Sequence, residues 1–294
     1  MRSGGCARAT LFASILALTL ALTCSAARAS SEGCPATQGG PAAVEWGVNG
    51  SEQLAAGFRS AHEGSPNQVL GLADVRSVQA GFKFAVALLG DCTLASWGSN
   101  TKAQLGNGNR LQAQNRPGPV VNLEGVREVS VANAHAAALR YDGSVWTWGA
   151  SEFGERGNGE KGFERTALAG EQNARPRDEP AQVPGLEHVV QLAAGGVRDF
   201  ALLADGEVLA WGEDQNGDLG TEQTGGEEEQ CYGETHSRTP VPCSTLPRRV
   251  KLEGHPLTGV ERIAAGGESA YAVRGGGREV LAWGENAKGQ LGTG

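Results

Sequence analysis

Few residues in this 294-residue chain combine the types and spacing that catalysis or metal binding requires. His135 falls in a repeated strand pattern, but no Ser or Cys nucleophile with a supporting acid recurs near it. A buried structural histidine is therefore its expected role. The other four histidines show no metal-ligand spacing: His62, His188, His236 and His255. The sequence predicts no catalytic residue, no metal site and no cofactor.

An acidic run beside an aromatic residue is the candidate binding site. Three glutamates precede Tyr232 in the long polar segment 221–249: Glu227, Glu228 and Glu229. Tyrosine supplies contact area in protein interfaces, and carboxylates steer a basic partner toward the surface. Calcium binding is an alternative, although the regular Asp/Asn/Gly loop of calcium sites is absent. We predict that these four residues bind a protein, against the alternative of a solvated insertion.

The N-terminus has the three parts of a secretory signal. Two arginines begin it, an apolar run over 11–23 follows, and an A-x-A site ends at Ala29. The apolar run is shorter than the roughly 20 residues that a membrane-spanning helix needs. We predict a signal peptide over 1–29, a polar linker over 30–41, and a secreted or extracytoplasmic mature chain.

The cysteine content agrees with export. Four cysteines follow the predicted signal, and four cysteines permit three pairings. Cys231 and Cys243 bracket one polar loop and are the natural local pair, which leaves Cys34 for Cys92. Zinc is the rival interpretation, but no C-x-x-C motif or nearby Cys/His pattern supports it. We predict disulfides, with Cys231–Cys243 the better supported pair.

The charge balance argues against a nucleic-acid partner. The formal net charge is −8, from 33 acidic and 25 basic residues. An acidic surface repels phosphate backbones, and no stripe of Lys and Arg offsets it.

A Trp-Gly dipeptide recurs along the chain and defines its organisation. The tryptophans of successive Trp-Gly dipeptides are 51, 51, 63 and 72 residues apart. A period near 50 residues in a β-rich sequence indicates a β-propeller with one small sheet per repeat. The tryptophans are predicted to pack inside the blades. The motif residues are Trp46, Trp97, Trp148, Trp211 and Trp283, with Gly98, Gly149, Gly212 and Gly284 after the last four.

The last four Trp-Gly dipeptides each end a predicted β-hairpin. Alternating apolar residues precede a turn, and a second strand runs from the turn to the tryptophan. The turns fall at Gly90-Asp91, Asp142-Gly143, Asp205-Gly206 and 275–277. Asp-Gly predicts a two-residue turn with positive φ at both residues. Two long connections, 160–180 and 221–249, enlarge the third and fourth intervals, and long loops on a rigid scaffold commonly carry function.

These units resemble the repeats of the regulator-of-chromosome-condensation family. The clearest matches are Gly195-Gly196, Asp205-Gly206 and Trp211-Gly212, then Gly266-Gly267, Trp283-Gly284 and Gln290-Leu291-Gly292. The resemblance covers about 42–294 and implies an all-β propeller with seven four-stranded blades. Only four to five blades are present, so we expect a truncated reading frame, with a smaller or open ring as the alternative.

The resemblance and the signal together predict a secreted, non-enzymatic scaffold that binds a protein through loops on one face. The position that holds histidine in the family's repeat is occupied here by Phe84, His135, Arg198 and Ser269. Any network of contacts at this position must therefore differ from blade to blade. One alternative is guanine nucleotide exchange, by family analogy. Another is an exported carbohydrate-active enzyme, which requires two acids that converge on the central channel. The scattered Asp205, Glu207 and Asp218 do not obviously provide such a pair.

Overall fold

The computed structural model describes residues 34–35, 42–109, 112–160, 178–222, 229–231 and 240–293. The predicted signal, most of the linker and much of both long connections lie outside these residues. The described part contains twenty β-strands and no α-helix. It therefore also offers no helix of the length and hydrophobicity that a membrane crossing needs.

The strands form six antiparallel sheets. One is a small hairpin, and we number the other five as blades 1 to 5 in chain order. Blade 1 has β1 (Val44–Val48) and β2 (His62–Gln68), and blade 2 has β3 (Val75–Ala80), β4 (Phe84–Leu89), β5 (Leu94–Gly98) and β6 (Gln114–Pro119). Blade 3 has β7 (Val126–Val131), β8 (His135–Arg140), β9 (Val145–Gly149) and β10 (Ala181–Gln182).

Blade 4 is the largest sheet. It contains β11 (Val189–Gly195), β12 (Arg198–Leu203), β13 (Val208–Glu213) and β15 (Val241–Arg249), with the short β14 (Glu229–Cys231) on its outer edge. A small hairpin of β16 (Lys251–Leu252) and β17 (His255–Pro256) precedes blade 5, which has β18 (Val260–Gly266), β19 (Ser269–Arg274) and β20 (Glu279–Gly284). Residues 241–249, predicted to belong to a loop, are therefore the fourth strand of blade 4.

The blades pack face to face around their first strands. The first strands β3, β7, β11 and β18 lie beside one another in that order. One hydrophobic cluster fills the space between each successive pair of blades. This arrangement is that of a β-propeller, in which burial between neighbouring sheets provides the core.

The recurring tryptophans pack as predicted in blades 2 to 4. Trp97, Trp148 and Trp211 are fully buried, and each ring lies under the loop that follows the Trp-Gly of the preceding blade. Each indole N–H donates a hydrogen bond of 2.9–3.0 Å to a backbone carbonyl of that loop: Trp97 to Gln53, Trp148 to Gln104 and Trp211 to Glu155. We call the loop that follows each Trp-Gly the tail of that blade.

Blade 1 departs from the expected tryptophan packing. Trp46 is 61% exposed. Among the described residues, β1 is paired only with β2, whereas the equivalent strands β5, β9 and β13 are paired along both edges. The described residues include no tail of a preceding blade that could cover the Trp46 ring.

In blades 2 to 5, the glycine after the tryptophan is required by a close approach of two backbone segments. Gly149 has a φ of +100°, and a Cβ built on it would lie 2.5 Å from the carbonyl oxygen of Ala134. Gly98, Gly212 and Gly284 meet the equivalent carbonyl at 2.4–2.5 Å. Gly47 has a φ of +112°, but nothing lies within 4 Å of its Cβ position.

This difference provides a matched pair of variants. Gly149→Ala should lower the free energy of unfolding by about 3 kcal/mol, because backbone strain and a clash add. Gly47→Ala should cost about 1 kcal/mol, because only the strain applies. Urea unfolding followed by circular dichroism measures both. Equal costs for the two variants would contradict the explanation.

The hairpin turns differ from the prediction in type. In blade 3, Gly143 N–H donates to the Arg140 carbonyl, and Arg140 N–H donates to that of Ser144. This pattern is a three-residue loop in which a left-handed residue follows a type I turn, so only Gly143 has positive φ. Asp142 instead accepts the Ser144 N–H at 2.9 Å.

In blade 2, the turn lies one residue later than predicted. Cys92, with a φ of +63°, takes the position that glycine holds in blades 3 and 4. Cys92 lies at bonding distance from Cys34, with an S–S separation of 2.01 Å. The Arg76 guanidinium also donates to the Pro35 and Gly90 carbonyls. This set of contacts fixes the start of the described chain to blade 2.

Candidate interaction face

The chain topology gathers the irregular segments at one end of the blades. In an antiparallel sheet whose strands follow chain order, the connection from first to second strand and that from third to fourth lie at the same end. The hairpin turns lie at the opposite end. Both long connections, 160–180 and 221–249, begin between a third and a fourth strand. They therefore emerge beside the first-to-second loops, at what we call the loop face.

The first-to-second loops form the centre of the loop face. They surround a recess lined by residues of all four first strands, from Ala80–Phe82, 131–133, 194–196 and 265–267. Phe82 N–H donates to the Asn133 carbonyl, and Asn133 N–H donates to that of Gly196. The loops are thus hydrogen-bonded to one another and hold a defined shape.

Phe82 is the residue at this centre that sequence reasoning missed. Its side chain is 73% exposed, and the Lys83 ammonium lies 5.1 Å from its ring centre. The equivalent positions in the other blades are Asn133, Gly196 and Gly267. Alignment of the repeats would have shown that an exposed aromatic residue occupies this position in blade 2 alone.

The predicted acidic site is only partly described. Glu227, Glu228 and Tyr232 lie outside the described residues. Glu229 lies in β14, where its carboxylate accepts hydrogen bonds from the Thr245 N–H at 2.9 Å and the Thr245 hydroxyl at 2.8 Å. Glu229 thus holds β14 against β15.

A cystine reinforces this attachment of β14. Cys231 lies at bonding distance from Cys243, with an S–S separation of 2.03 Å, and both are buried. The two cysteines therefore fix the described part of the 221–249 connection to the outer edge of blade 4.

A buried ion pair joins blades 3 and 4 beneath the loop face. His135 Nε2 lies 2.9 Å from a carboxylate oxygen of Asp199, and both side chains are 1% exposed. Burial lowers the pKa of His135, but the Asp199 carboxylate outweighs it, so the pKa is raised overall. The Glu155 and Glu152 carboxylates add to that rise. The Asp199 carboxylate therefore favours the charged form of His135 at this blade interface.

Glu155 lies in the tail of blade 3 close to this pair. Burial raises its pKa to about 7, against the opposing effect of the charged His135. One of its oxygens accepts the Phe153 N–H at 2.7 Å. Gln53 and Gln104 make the same contact in the tails of blades 1 and 2.

These two groups predict the direction of a pH dependence. A carboxyl with a raised folded-state pKa contributes stability below about pH 4.5, and that contribution is lost as pH rises to about 7. A histidine with a raised pKa contributes stability below about pH 6.5, which is lost as pH rises through its folded-state value. Both groups therefore favour the folded state at lower pH.

Glu155→Gln tests the carboxyl contribution without removing its hydrogen bond. We expect this variant to raise the free energy of unfolding at about pH 8 by on the order of 2 kcal/mol, because no buried carboxylate forms. At about pH 5 the variant and the wild type should be nearly equal. Denaturation measured at both pH values checks this, and an equal gain at both would refute the titration of Glu155.

A second buried cation joins blades 4 and 5. The Arg198 guanidinium donates to Asp218 at 2.8 Å, to Glu213 at 3.0 Å and to the Gly267 carbonyl at 3.3 Å. Burial raises the pKa of Asp218 against the opposing effect of Arg198. His135 and Arg198 occupy equivalent positions, so the two blade interfaces use different cations at one point of the repeat.

The three acids considered for carbohydrate chemistry do not converge. Asp205 is exposed on the hairpin turn of blade 4, and Glu207 pairs with Arg249 at 2.7 Å near the same turn. Asp218 is buried beside Arg198 in the tail, at the opposite end of the blade.

The described fold and its repeated Trp-Gly tails define a class of β-propeller. The family model for the regulator of chromosome condensation (RCC1) repeat matches residues 94–139, 142–197 and 205–273, which is more than half of the chain. The chain belongs to the RCC1 repeat family.

Curated relatives support this assignment. The ultraviolet-B receptor UVR8 of Arabidopsis thaliana is 30% identical over 225 residues, covering 74% of this chain and 43% of the relative. The probable E3 ubiquitin-protein ligase HERC6 of Homo sapiens is 29% identical, covering 61% of this chain and 17% of the relative. The chain spans less than half the length of either protein.

Solved structures show the same fold. Yeast RCC1 (Prp20), bound to Kap60, superposes with a TM-score of 0.63 at 22% identity, over 82% of this chain and 51% of that one. Human WBSCR16 superposes with a TM-score of 0.61 at 21% identity, over 83% of this chain and 57% of that one. At these identities the likeness establishes the fold alone.

Proposed function

We propose that this chain is an exported propeller that binds a protein partner through its loop face and catalyses no reaction itself. The observation that carries the proposal is that both long connections leave the third strands of blades 3 and 4 at the end of the blades where the first-to-second loops lie. Loops that vary in length on a rigid scaffold are the usual location of binding residues. Glu227, Glu228, Glu229 and Tyr232 remain our candidates within the longer connection.

Two further observations support the proposal. Both cysteine pairs lie at bonding distance, and disulfides persist in oxidising compartments outside the cytosol. Yeast Prp20p, a protein of the same fold, has binding properties toward Gsp1p and histones. Protein binding therefore has a precedent on this scaffold, although the partner of this chain differs if the chain is exported.

Site-specific photo-cross-linking in the native host tests the face. A benzophenone amino acid is placed at Asn133 on the loop face, or at Asp142 on the opposite end of the same blade. Both positions are exposed, so they differ mainly in the end of the blade that they probe. We expect adducts with an extracytoplasmic protein from position 133 and none from position 142.

Three outcomes would contradict the proposal. Adducts from position 142 alone would place the partner at the other end of the blades. A cytosolic small GTPase in the adduct would favour nucleotide exchange. An N-terminus that includes residues 1–29 in the purified native protein would contradict signal cleavage.

A further inference from the structure

Four Asn-Gly pairs lie in the tails of blades 1 to 4: Asn49-Gly50, Asn107-Gly108, Asn158-Gly159 and Asn216-Gly217. Asparagine is a chemically labile residue, because the backbone nitrogen that follows it can attack its side-chain amide carbon. A glycine in the next position favours this attack, since it has no Cβ to obstruct the approach. The structure gives the four pairs different surroundings, so they should differ in reactivity.

Burial and hydrogen bonds restrain the first pair. The Asn49 side chain is fully buried. Its Nδ2 donates to the Phe58 carbonyl at 3.0 Å and to the Ser60 hydroxyl at 3.1 Å. Its Oδ1 accepts the Leu54 N–H at 3.1 Å. These bonds must break before the side chain can turn toward the Gly50 nitrogen.

The attacking nitrogens of the second and third pairs are engaged in hydrogen bonds. Gly108 N–H donates to the Asp178 carbonyl at 3.1 Å. Gly159 N–H donates to the Thr245 carbonyl at 2.9 Å. A nitrogen that donates its proton in this way must give up the bond before it can attack, and that loss costs free energy.

The side chains of the same two asparagines are restrained as well. Asn107 Oδ1 accepts the Asn109 N–H at 3.0 Å, two residues further along the chain. Asn158 Oδ1 accepts the Glu160 N–H at 3.1 Å in the same way. Such Asx turns hold the amide in one orientation. Folding therefore restrains both reacting groups in each of these pairs.

The fourth pair lacks these restraints. Asn216 and Gly217 are both exposed, and nothing lies within 4 Å of the Cβ position of Gly217. The Asn216 side chain makes no hydrogen bond to the part of the chain that the structure describes. Gly217 N–H meets the Asp214 carbonyl at 3.4 Å, a longer contact than those of Gly108 and Gly159. The Asn216 amide can therefore turn toward a nitrogen that is only weakly held.

We infer that Asn216 is a site of spontaneous deamidation, at which the chain converts its own asparagine to aspartate and isoaspartate. The Gly217 nitrogen forms a bond to Cγ of Asn216, and the side-chain amide leaves as ammonia after taking up the Gly217 proton. Water then opens the succinimide ring at either of its carbonyls, which gives aspartate or isoaspartate. Water is the only co-reactant, so the reaction needs no partner and does not depend on the proposed function.

The products alter a contact between blades 4 and 5. The Asn216 N–H donates to the Asp218 carboxylate, which also accepts the Arg198 guanidinium at 2.8 Å. Aspartate adds a negative charge two residues from Asp218, and isoaspartate lengthens the main chain between the two residues. Either product disturbs the carboxylate that holds Arg198. Modification of Asn216 therefore weakens the attachment of blade 5 to blade 4.

Peptide mapping by mass spectrometry tests the site. The purified chain is kept in mildly alkaline buffer, digested briefly at acidic pH, and measured over time for deamidation at each of the four asparagines. Asn216 should deamidate about tenfold faster than any of the other three, because each of those must first break two or more hydrogen bonds. Isoaspartate should accumulate at position 216 together with aspartate, since the ring opens on both sides.

The unfolded chain is the first control. In concentrated urea the four pairs should deamidate at similar rates, because the burial and the hydrogen bonds that distinguish them are lost. The rates at Asn49, Asn107 and Asn158 should therefore rise toward the rate at Asn216. This change of ratio separates the effect of the fold from that of the dipeptide.

Gly217→Ala is the matched variant. Ala103 lies at the equivalent position of the blade 2 tail with a φ of +60°, so alanine is compatible with this turn. The added Cβ should slow deamidation at Asn216 severalfold, because it obstructs the approach of the nitrogen. Gly50→Ala makes the same change in a protected pair and should leave the rate at Asn216 unchanged. Thermal unfolding of both variants checks that the fold is retained.

Any of three results would overturn the inference. Asn216 could stay intact, or another of the four asparagines could react as fast in the folded chain. The order of rates in urea could match that in buffer, which would mean that sequence alone sets it. Aspartate could form at position 216 without isoaspartate, which would indicate direct hydrolysis of the amide and not attack by Gly217.

Discussion

His135→Ala is expected to lower the free energy of unfolding by about 3–5 kcal/mol, the usual cost of breaking one side of a buried ion pair. His135 and Asp199 are both almost fully buried at the interface of blades 3 and 4. Alanine leaves the Asp199 carboxylate there without its cation, and Glu155 loses the charge that opposes the rise of its pKa. Urea unfolding at about pH 6 measures the loss.

The protein itself supplies the control for this variant. At the interface of blades 2 and 3, Phe84 and Ala136 occupy the positions equivalent to His135 and Asp199, and both belong to one buried cluster. The double variant His135→Phe/Asp199→Ala should therefore recover most of the loss, since an apolar pair of suitable volume replaces a buried ion pair at little cost. If it is as unstable as His135→Ala, the damage comes from packing and not from the unpaired charge.

Removal of the Cys34–Cys92 bond has a comparable expected effect. Cys34→Ser/Cys92→Ser should cost about 4 kcal/mol, because the bond closes a chain segment with a sequence separation of 58 residues. The bond between Cys231 and Cys243 has a separation of 12, and its removal should cost about 3 kcal/mol. Thermal and urea unfolding of the oxidised variants measures both.

The left-handed conformation of Cys92 provides a control for the turn. Cys34→Ser/Cys92→Gly removes the same bond but places glycine where blades 3 and 4 have it. It should be more stable than the serine double variant by about 1 kcal/mol, because glycine adopts positive φ without steric cost. A serine double variant as stable as the wild type would show that the bond does not restrain the unfolded chain.

The repeat spacing predicted the blades because it reflects local structure. The hairpins and the buried positions of Trp97, Trp148 and Trp211 follow from alternation and from the fixed distance between turn and tryptophan. Trp46 has the same dipeptide but is exposed, since burial of this ring comes from the tail of a preceding blade and not from its own sequence. The sequence does not predict the strand over Val241–Arg249, because two prolines and several polar residues mask the fourth strand of blade 4.

The contacts between blades were outside the reach of sequence reasoning. His135 and Asp199 are 64 residues apart, and no local pattern joins them. The position that holds histidine in the family's repeat varies from blade to blade in this chain, which indicated that the interfaces differ. In the structure, His135 pairs with Asp199 at one interface, and Arg198 pairs with Asp218 and Glu213 at the next.

Each buried tryptophan is covered by the tail of the preceding blade, so each blade depends on the blade before it in the chain. Blade 3 cannot satisfy the indole of Trp148 until Gln104 is in place, and blade 4 likewise needs Glu155 for Trp211. A chain that is synthesised or translocated from its N-terminus emerges in this order, so each new sheet meets a neighbour that already offers its cover. The blades can therefore assemble one at a time as the chain emerges.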